Sequence, residues 1–210
     1  MARAKVCGIS TPDGFDAAAE AGADWIGFVF LPSSPRAVTP GQAAALSRRG
    51  TGGAALVGLF VQPTDDEVTR ALDALRLDAL QVYADAGRAA ALRAHFGVPV
   101  WHAVGVAERS DLPGAAPGVD ALLLDAKPPP DSMLPGGNAH AFHWPVLQGW
   151  AAPLPWLLAG GLTVDNVAEA IMLSGAAAVD VSSGVERERG VKDPELIRRF
   201  VQAARQAQGA

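Results

Sequence analysis

Short apolar runs alternate along the chain with stretches rich in Ala, Leu and Arg. Runs this short, bounded by Gly, Pro and polar residues, read as buried strands. The pattern predicts strands over 4–9, 25–30, 55–61, 79–83, 100–106, 121–126, 156–160 and 178–182. Between them it predicts helices over 12–21, 40–49, from the cap Thr64 onward, over 86–96, 144–150 and 164–174, with a last one over 194–206. Thr11-Pro12-Asp13-Gly14 is a turn and helix-start signal. Asp65, Asp66 and Glu67 behind Thr64 suit the positive end of a helix. After the fifth strand only a short helix or loop is expected. Residues 127–141, rich in Pro and Gly, form a long irregular stretch, and such loops often serve as lids.

Eight β/α units of roughly 26 residues each are near the lower size limit of a (β/α)8 barrel. An internal echo supports that count. Gly22-Ala23-Asp24, Leu77-Asp78 and Gly118-Val119-Asp120 each end a helix-to-strand connection, before strands two, four and six, and Gly175-Ala176-Ala177 sits in the same place before strand eight. The expected fold is α/β, a single (β/α)8 TIM-barrel domain over residues 1–210. A doubly wound open sheet is the alternative and would usually have fewer units.

Composition narrows the partners. The chain has 210 residues and a formal net charge of -5, and half of it is apolar. That is ample for a sizeable core, and neither the charge nor any Lys/Arg run points to nucleic acid. No apolar run approaches the ~18 residues of a membrane span. The single cysteine allows no internal disulfide and suits a reducing compartment. A cytoplasmic protein acting on a small molecule is expected, with monomer and homodimer both open.

The candidate chemistry lies where the strands end, the functional end of a parallel α/β fold. Those positions carry Cys7, Arg36, Gln81, Asp125, Gly160, Gly161 and the run from Asp180 through Ser182 and Ser183 to Gly184. Side chains alternate along a strand, so Lys5, Cys7 and Ile9 share one side, as do Ala121, Leu123 and Asp125. If those sides face inward, Cys7 and Asp125 meet one cavity from opposite walls. A free cysteine is also at home as a small buried hydrophobe. Here Gly8 leaves room beside it, and a nearby helix start would favour the thiolate, which can accept a proton or attack. A buried carboxylate needs a partner or an opening to solvent; Asp125 could otherwise be a cap or loop acid, although Lys127-Pro128 makes a poor helix start. Gly160-Gly161 and Ser182-Ser183-Gly184 follow strands seven and eight, where barrels frequently bind phosphate through backbone N–H groups. Arg36 could grip a carboxylate or phosphate in paired hydrogen bonds, or stand exposed in its loop. His95, His102, His140 and His143 show no metal spacing; His102 could line the interior, with a core role the commoner case.

The segments Lys5-Val6-Cys7-Gly8-Ile9, Ser33-Ser34-Pro35-Arg36, Leu123-Leu124-Asp125, Ala159-Gly160-Gly161-Leu162 and Val179-Asp180-Val181-Ser182-Ser183-Gly184-Val185-Glu186 carry a family pattern. Through them the chain resembles phosphoribosylanthranilate isomerase over nearly its whole length. The resemblance implies an Amadori rearrangement of N-(5-phosphoribosyl)anthranilate in tryptophan biosynthesis, without cofactor or metal. It implies Asp125 as the acid that protonates the ribose ring oxygen and Cys7 as the base that takes the C2 proton. Arg36 would hold the anthranilate carboxylate, the glycine loops the phosphate, and Asp180 the sugar. Two segments depart from the pattern. Val82-Tyr83-Ala84 stands where the family usually reads Leu-His-Gly, and Gly136-Gly137-Asn138-Ala139 replaces Gly-Gly-Thr/Ser-Gly. The related barrel isomerase of histidine biosynthesis normally has Asp where Cys7 stands, so the cysteine favours the anthranilate substrate.

Overall fold

The structure, a computed structural model, describes residues 1–127 and 143–207. Eight parallel strands close a barrel: β1 Arg3–Cys7, β2 Trp25–Val29, β3 Ala55–Val61, β4 Ala79–Tyr83, β5 Val100–Val106, β6 Ala121–Ala126, β7 Trp156–Leu158 and β8 Ala178–Val181. The α-helices are α1 Pro12–Glu20, α2 Pro40–Ser47, α3 Asp65–Ala74, α4 Ala86–Phe96, α5 Val167–Ser174 and α6 Pro194–Gln206. Thr11, Thr39, Thr64, Asp85 and Asp193 each accept a backbone N–H at a helix start, which satisfies donors the helix itself leaves unpaired.

One expected helix is not an α-helix. The segment expected as a helix over 144–150 makes only a 3-10 turn, Trp144–Leu147, because Pro145 sits inside it and Gly149 leaves the helical region with φ of 68°. The connection after β5 has a three-residue 3-10 turn, Arg109–Asp111. β1 stops at Cys7 and not at residue 9, since Gly8 turns the chain with φ of 76°. β7 likewise stops two residues before Gly160, whose φ is 85°. A hairpin of β9 Glu186–Glu188 and β10 Val191–Lys192 follows β8 and was not foreseen. The expected lid falls almost wholly outside the described residues. No helix among the described residues is long and apolar enough to cross a membrane.

The echo before strands two, four and six has a structural purpose. Asp24 accepts the Ala4 N–H of β1, Asp78 the Leu56 N–H of β3 and Asp120 the Val100 N–H of β5, each at 2.8 Å. Each carboxylate therefore ties the start of one strand to the one before it. Above this rim lies an apolar plug of inward side chains, including Trp25, Val57, Ala79, Trp101, Ala121, Leu123, Leu157 and Ala178. Trp25 and Trp101 meet edge to face at 5.3 Å, a favoured aromatic geometry. The opposite strand faces, with Val6, Ile26, Leu80, Leu122 and Val179, pack under the helices. β7 and β8 share one register pair, Leu158 with Val179, against six between β5 and β6.

Candidate active site

The inward alternation that builds the plug puts polar side chains at the next level up. On β1, Lys5 and Cys7 both face inward, and their room comes from Gly27 of β2. A Cβ there would stand 2.9 Å from the Cys7 sulfur and 3.2 Å from Lys5 Cε. Lys5 is fully buried and donates to Asp180 Oδ1 at 2.9 Å and to Gln81 Oε1 at 2.7 Å. Burial works against its charge, but Asp180 and Cys7 outweigh this and hold the ammonium above the usual lysine range. Burial pushes the Cys7 thiol up, while Lys5 draws it the other way. Asp180 is pushed up by burial and drawn down by Lys5. The other end of Gln81 is unsatisfied: Nε2 is buried and without a partner among the described residues, a costly state that a ligand acceptor would relieve.

Asp125 ends the inward row of β6. Its Oδ2 accepts the Tyr83 hydroxyl at 2.7 Å and its Oδ1 the Ala126 N–H at 2.8 Å. Gly160 makes room for the carboxyl group, because a Cβ there would stand 3.1 Å from Oδ1 and crowd the Ala126 nitrogen. Burial raises Asp125 to about 6, against the pull of the Tyr83 hydrogen bond. Tyr83 itself is held well above the usual phenol range by burial and by Asp125.

At the mouth Arg36 is buried and not exposed in its loop. It donates to Glu186 through Nε at 2.6 Å and Nη2 at 2.9 Å. Glu186 also accepts from Lys192 at 2.7 Å and from the Gly190 N–H, and Lys192 reaches the Ser182 carbonyl at 2.8 Å. Burial would raise Glu186, but Arg36, Lys192 and Gly190 together bring it down to about 2. Two buried cations thus share one carboxylate, and among the described residues Arg36 Nη1 takes no acceptor. Gly8 permits this approach, since a Cβ there would collide with the Arg36 side chain.

The loops after β7 and β8 press together: a Cβ on Gly184 would overlap the Leu162 carbonyl. Among the described residues the N–H groups of Gly161 and Ser183 take no acceptor. Cys7, Arg36, Gln81, Tyr83, Asp125, Gly160, Gly161, Asp180, Ser182 and Ser183 all line one cavity of about 670 Å³, its open mouth included. The structure therefore gathers the sequence-expected residues, with one exception. Gly184 does not line the cavity but forms the seam between the two loops. His102 faces out of the barrel, with Nε2 2.9 Å from the Ala84 carbonyl; a carbonyl only accepts, so Nε2 carries the proton. Sequence reasoning gave no role to Lys5, Gln81 Nε2, Gly27, Glu186 or Lys192. No group of three or more His, Cys, Asp or Glu with metal-site geometry occurs among the described residues.

Comparison with known proteins agrees with this geometry. Residues 4–203 match the model of the N-(5'phosphoribosyl)anthranilate (PRA) isomerase family. An N-(5'-phosphoribosyl)anthranilate isomerase of Acidiphilium cryptum is 53% identical over 207 residues, covering 99% of this chain and all of that protein. The crystal structure of phosphoribosyl anthranilate isomerase from Thermotoga maritima superposes with a TM-score of 0.85 at 31% identity, covering 98% of this chain and 99% of that one. A crystal structure of phosphoribosyl anthranilate isomerase in complex with reduced 1-(o-carboxyphenylamino)-1-deoxyribulose 5-phosphate gives a TM-score of 0.82 at 30% identity over 98% and 99% of the two chains. With family model, full-length relatives and barrel in agreement, the chain belongs to the N-(5'-phosphoribosyl)anthranilate isomerase family.

Proposed function

We propose that this chain isomerises N-(5'-phosphoribosyl)anthranilate to 1-(2-carboxyphenylamino)-1-deoxyribulose 5-phosphate with Asp125 as acid and Cys7 as base. The observation that carries the assignment is that β1 and β6 bring these two groups to one cavity. Asp125 protonates the ribose ring oxygen and the ring opens to a protonated Schiff base. Cys7 takes the proton from C2, and the enolamine ketonises by gaining a proton at C1 and losing one from the C2 hydroxyl. Protons and electrons balance over the cycle, so no oxidant is required.

Binding follows the charges. Arg36 Nη1 suits the anthranilate carboxylate, because the Arg36–Lys192–Glu186 cluster carries one positive charge in excess. The N–H groups of Gly161 and Ser183, with Gly160 and Ser182 beside them, suit the phosphate. Gln81 Nε2 and Asp180 suit the sugar hydroxyls. Lys5 steers Cys7 by favouring its thiolate. Residues 1–210 then work as one barrel domain. A working thiolate base calls for a reducing compartment, which supports a cytoplasmic location.

The protonation states add a constraint. With Asp125 at about 6 and the thiol raised, the singly protonated pair mostly holds its proton on sulfur near neutral pH. The reactive arrangement, proton on Asp125 and thiolate on Cys7, is the minor form of that same state. Turnover then falls as pH drops through about 6, where both groups are protonated. The direct test is to add phosphoribosylanthranilate to purified protein and follow its anthranilate fluorescence. Loss of the signal at an enzyme-dependent rate is expected; a signal decaying only at the uncatalysed rate would refute the assignment.

A further inference from the structure

We propose that Tyr83 is a positioning residue for Asp125, its phenol fixing the carboxyl group across the barrel and favouring the ionised form. The inference rests on the reading of Asp125 as the acid. Tyr83 ends β4 and Asp125 lies on β6, so the hydrogen bond spans β5. The β5 residue in register with Asp125 is Gly105, and no side chain stands between them. The base of the phenol is held from both sides. Gln62 N–H donates to the Tyr83 carbonyl at 2.8 Å, and His102 pins the next carbonyl, that of Ala84. His102 thus gains a purpose away from the cavity.

Both oxygens of Asp125 receive a hydrogen bond before any ligand arrives, one from Tyr83 and one from Ala126. Hydrogen bonds to an ionised carboxylate are roughly twice as strong as neutral ones, so the phenol favours the anion that remains after proton donation. Other groups pull in both directions. From β8, Asp180 disfavours the anion, and from β1, Lys5 favours it. β7 leads into Gly160 and β5 offers Gly105, neither with a charge. Tyr83 stays neutral across the working range, since burial and Asp125 hold its own proton firmly. A phenol donates this hydrogen bond without ever adding a positive charge beside the acid.

The test is Tyr83→Phe in the full chain, which removes one oxygen and keeps the ring. Two quantities are compared with the unsubstituted protein: the acid limb of kcat/KM and the titration of Asp125 in ligand-free protein. The titration is read by carboxyl 13C NMR, with Asp125→Asn identifying the resonance. Losing a donor that favours the anion raises proton affinity. Both are therefore expected to move to higher pH, by about one unit or tenfold in affinity. The substrate phosphate titrates in the same range but identically with both proteins, so only the difference counts. An Asp125 titration unchanged in Tyr83→Phe overturns the proposal, whatever the turnover. If the unsubstituted protein fails to turn over phosphoribosylanthranilate, the isomerase assignment falls and the NMR titration still decides the role of Tyr83.

Discussion

Leu123 and Asp125 stand two residues apart on the same face of β6, and they belong to different worlds. Leu123 is fully buried in the plug with Trp25, Trp101 and Leu157. Asp125 looks from the top of that plug into the cavity beside Cys7, Gln81 and Tyr83. One pleat separates a level that holds the barrel together from a level that stores unfavourable features: a raised carboxyl, a buried lysine and an unpaired amide nitrogen. The division teaches that stability and chemistry are allotted by height along the barrel axis, not by strand or segment.

Substitutions at the two levels can break this contrast. The largest effect is expected for Cys7→Ala or Asp125→Asn, which should each cut turnover by roughly 10²–10⁴-fold with the thermal midpoint nearly unmoved; activity within a few-fold of normal in either would erase the distinction. Lys5→Met comes next. It leaves Asp180 buried without its cation, a loss expected to cost about 3–5 kcal/mol. Adding Asp180→Asn should return most of that stability without returning activity, as calorimetry and the fluorescence assay would show together. If the double variant stays as unstable as the single one, the buried charge is not the source of the cost. Leu123→Ala is the counterpart on the plug level, expected to cost about 2–5 kcal/mol while kcat/KM changes little in the surviving folded protein. A large catalytic defect there would mean that the upper level depends on the lower one for more than support.

The two levels were unequally legible in the sequence. Alternation along β1 and β6 pointed Cys7 and Asp125 into the same cavity, because a strand has a strict period of two and needs no tertiary knowledge. The Asp24, Asp78 and Asp120 echo exposed the repeat, since each carboxylate serves a backbone N–H at a fixed place in the unit. Pairings between distant strands left no such trace. Lys5 meets Gln81 and Asp180 at sequence separations of 76 and 175. Tyr83 meets Asp125 over an intervening strand. Glu186 looked like the tail of a motif until the hairpin of β9 and β10 folded it onto Arg36. The expected helix over 144–150 failed for a local reason that was present in the sequence, Pro145 followed by Gly149.

The seam between β7 and β8 is joined by a single register pair, and the loops that follow these two strands are the ones assigned to the phosphate. An anion held by both would act as a clasp where the ring is most thinly stitched. A ligand that binds only the folded barrel stabilises it: at a concentration a hundredfold above Kd, mass action alone contributes about 2.7 kcal/mol, so the barrel is at its firmest while it works.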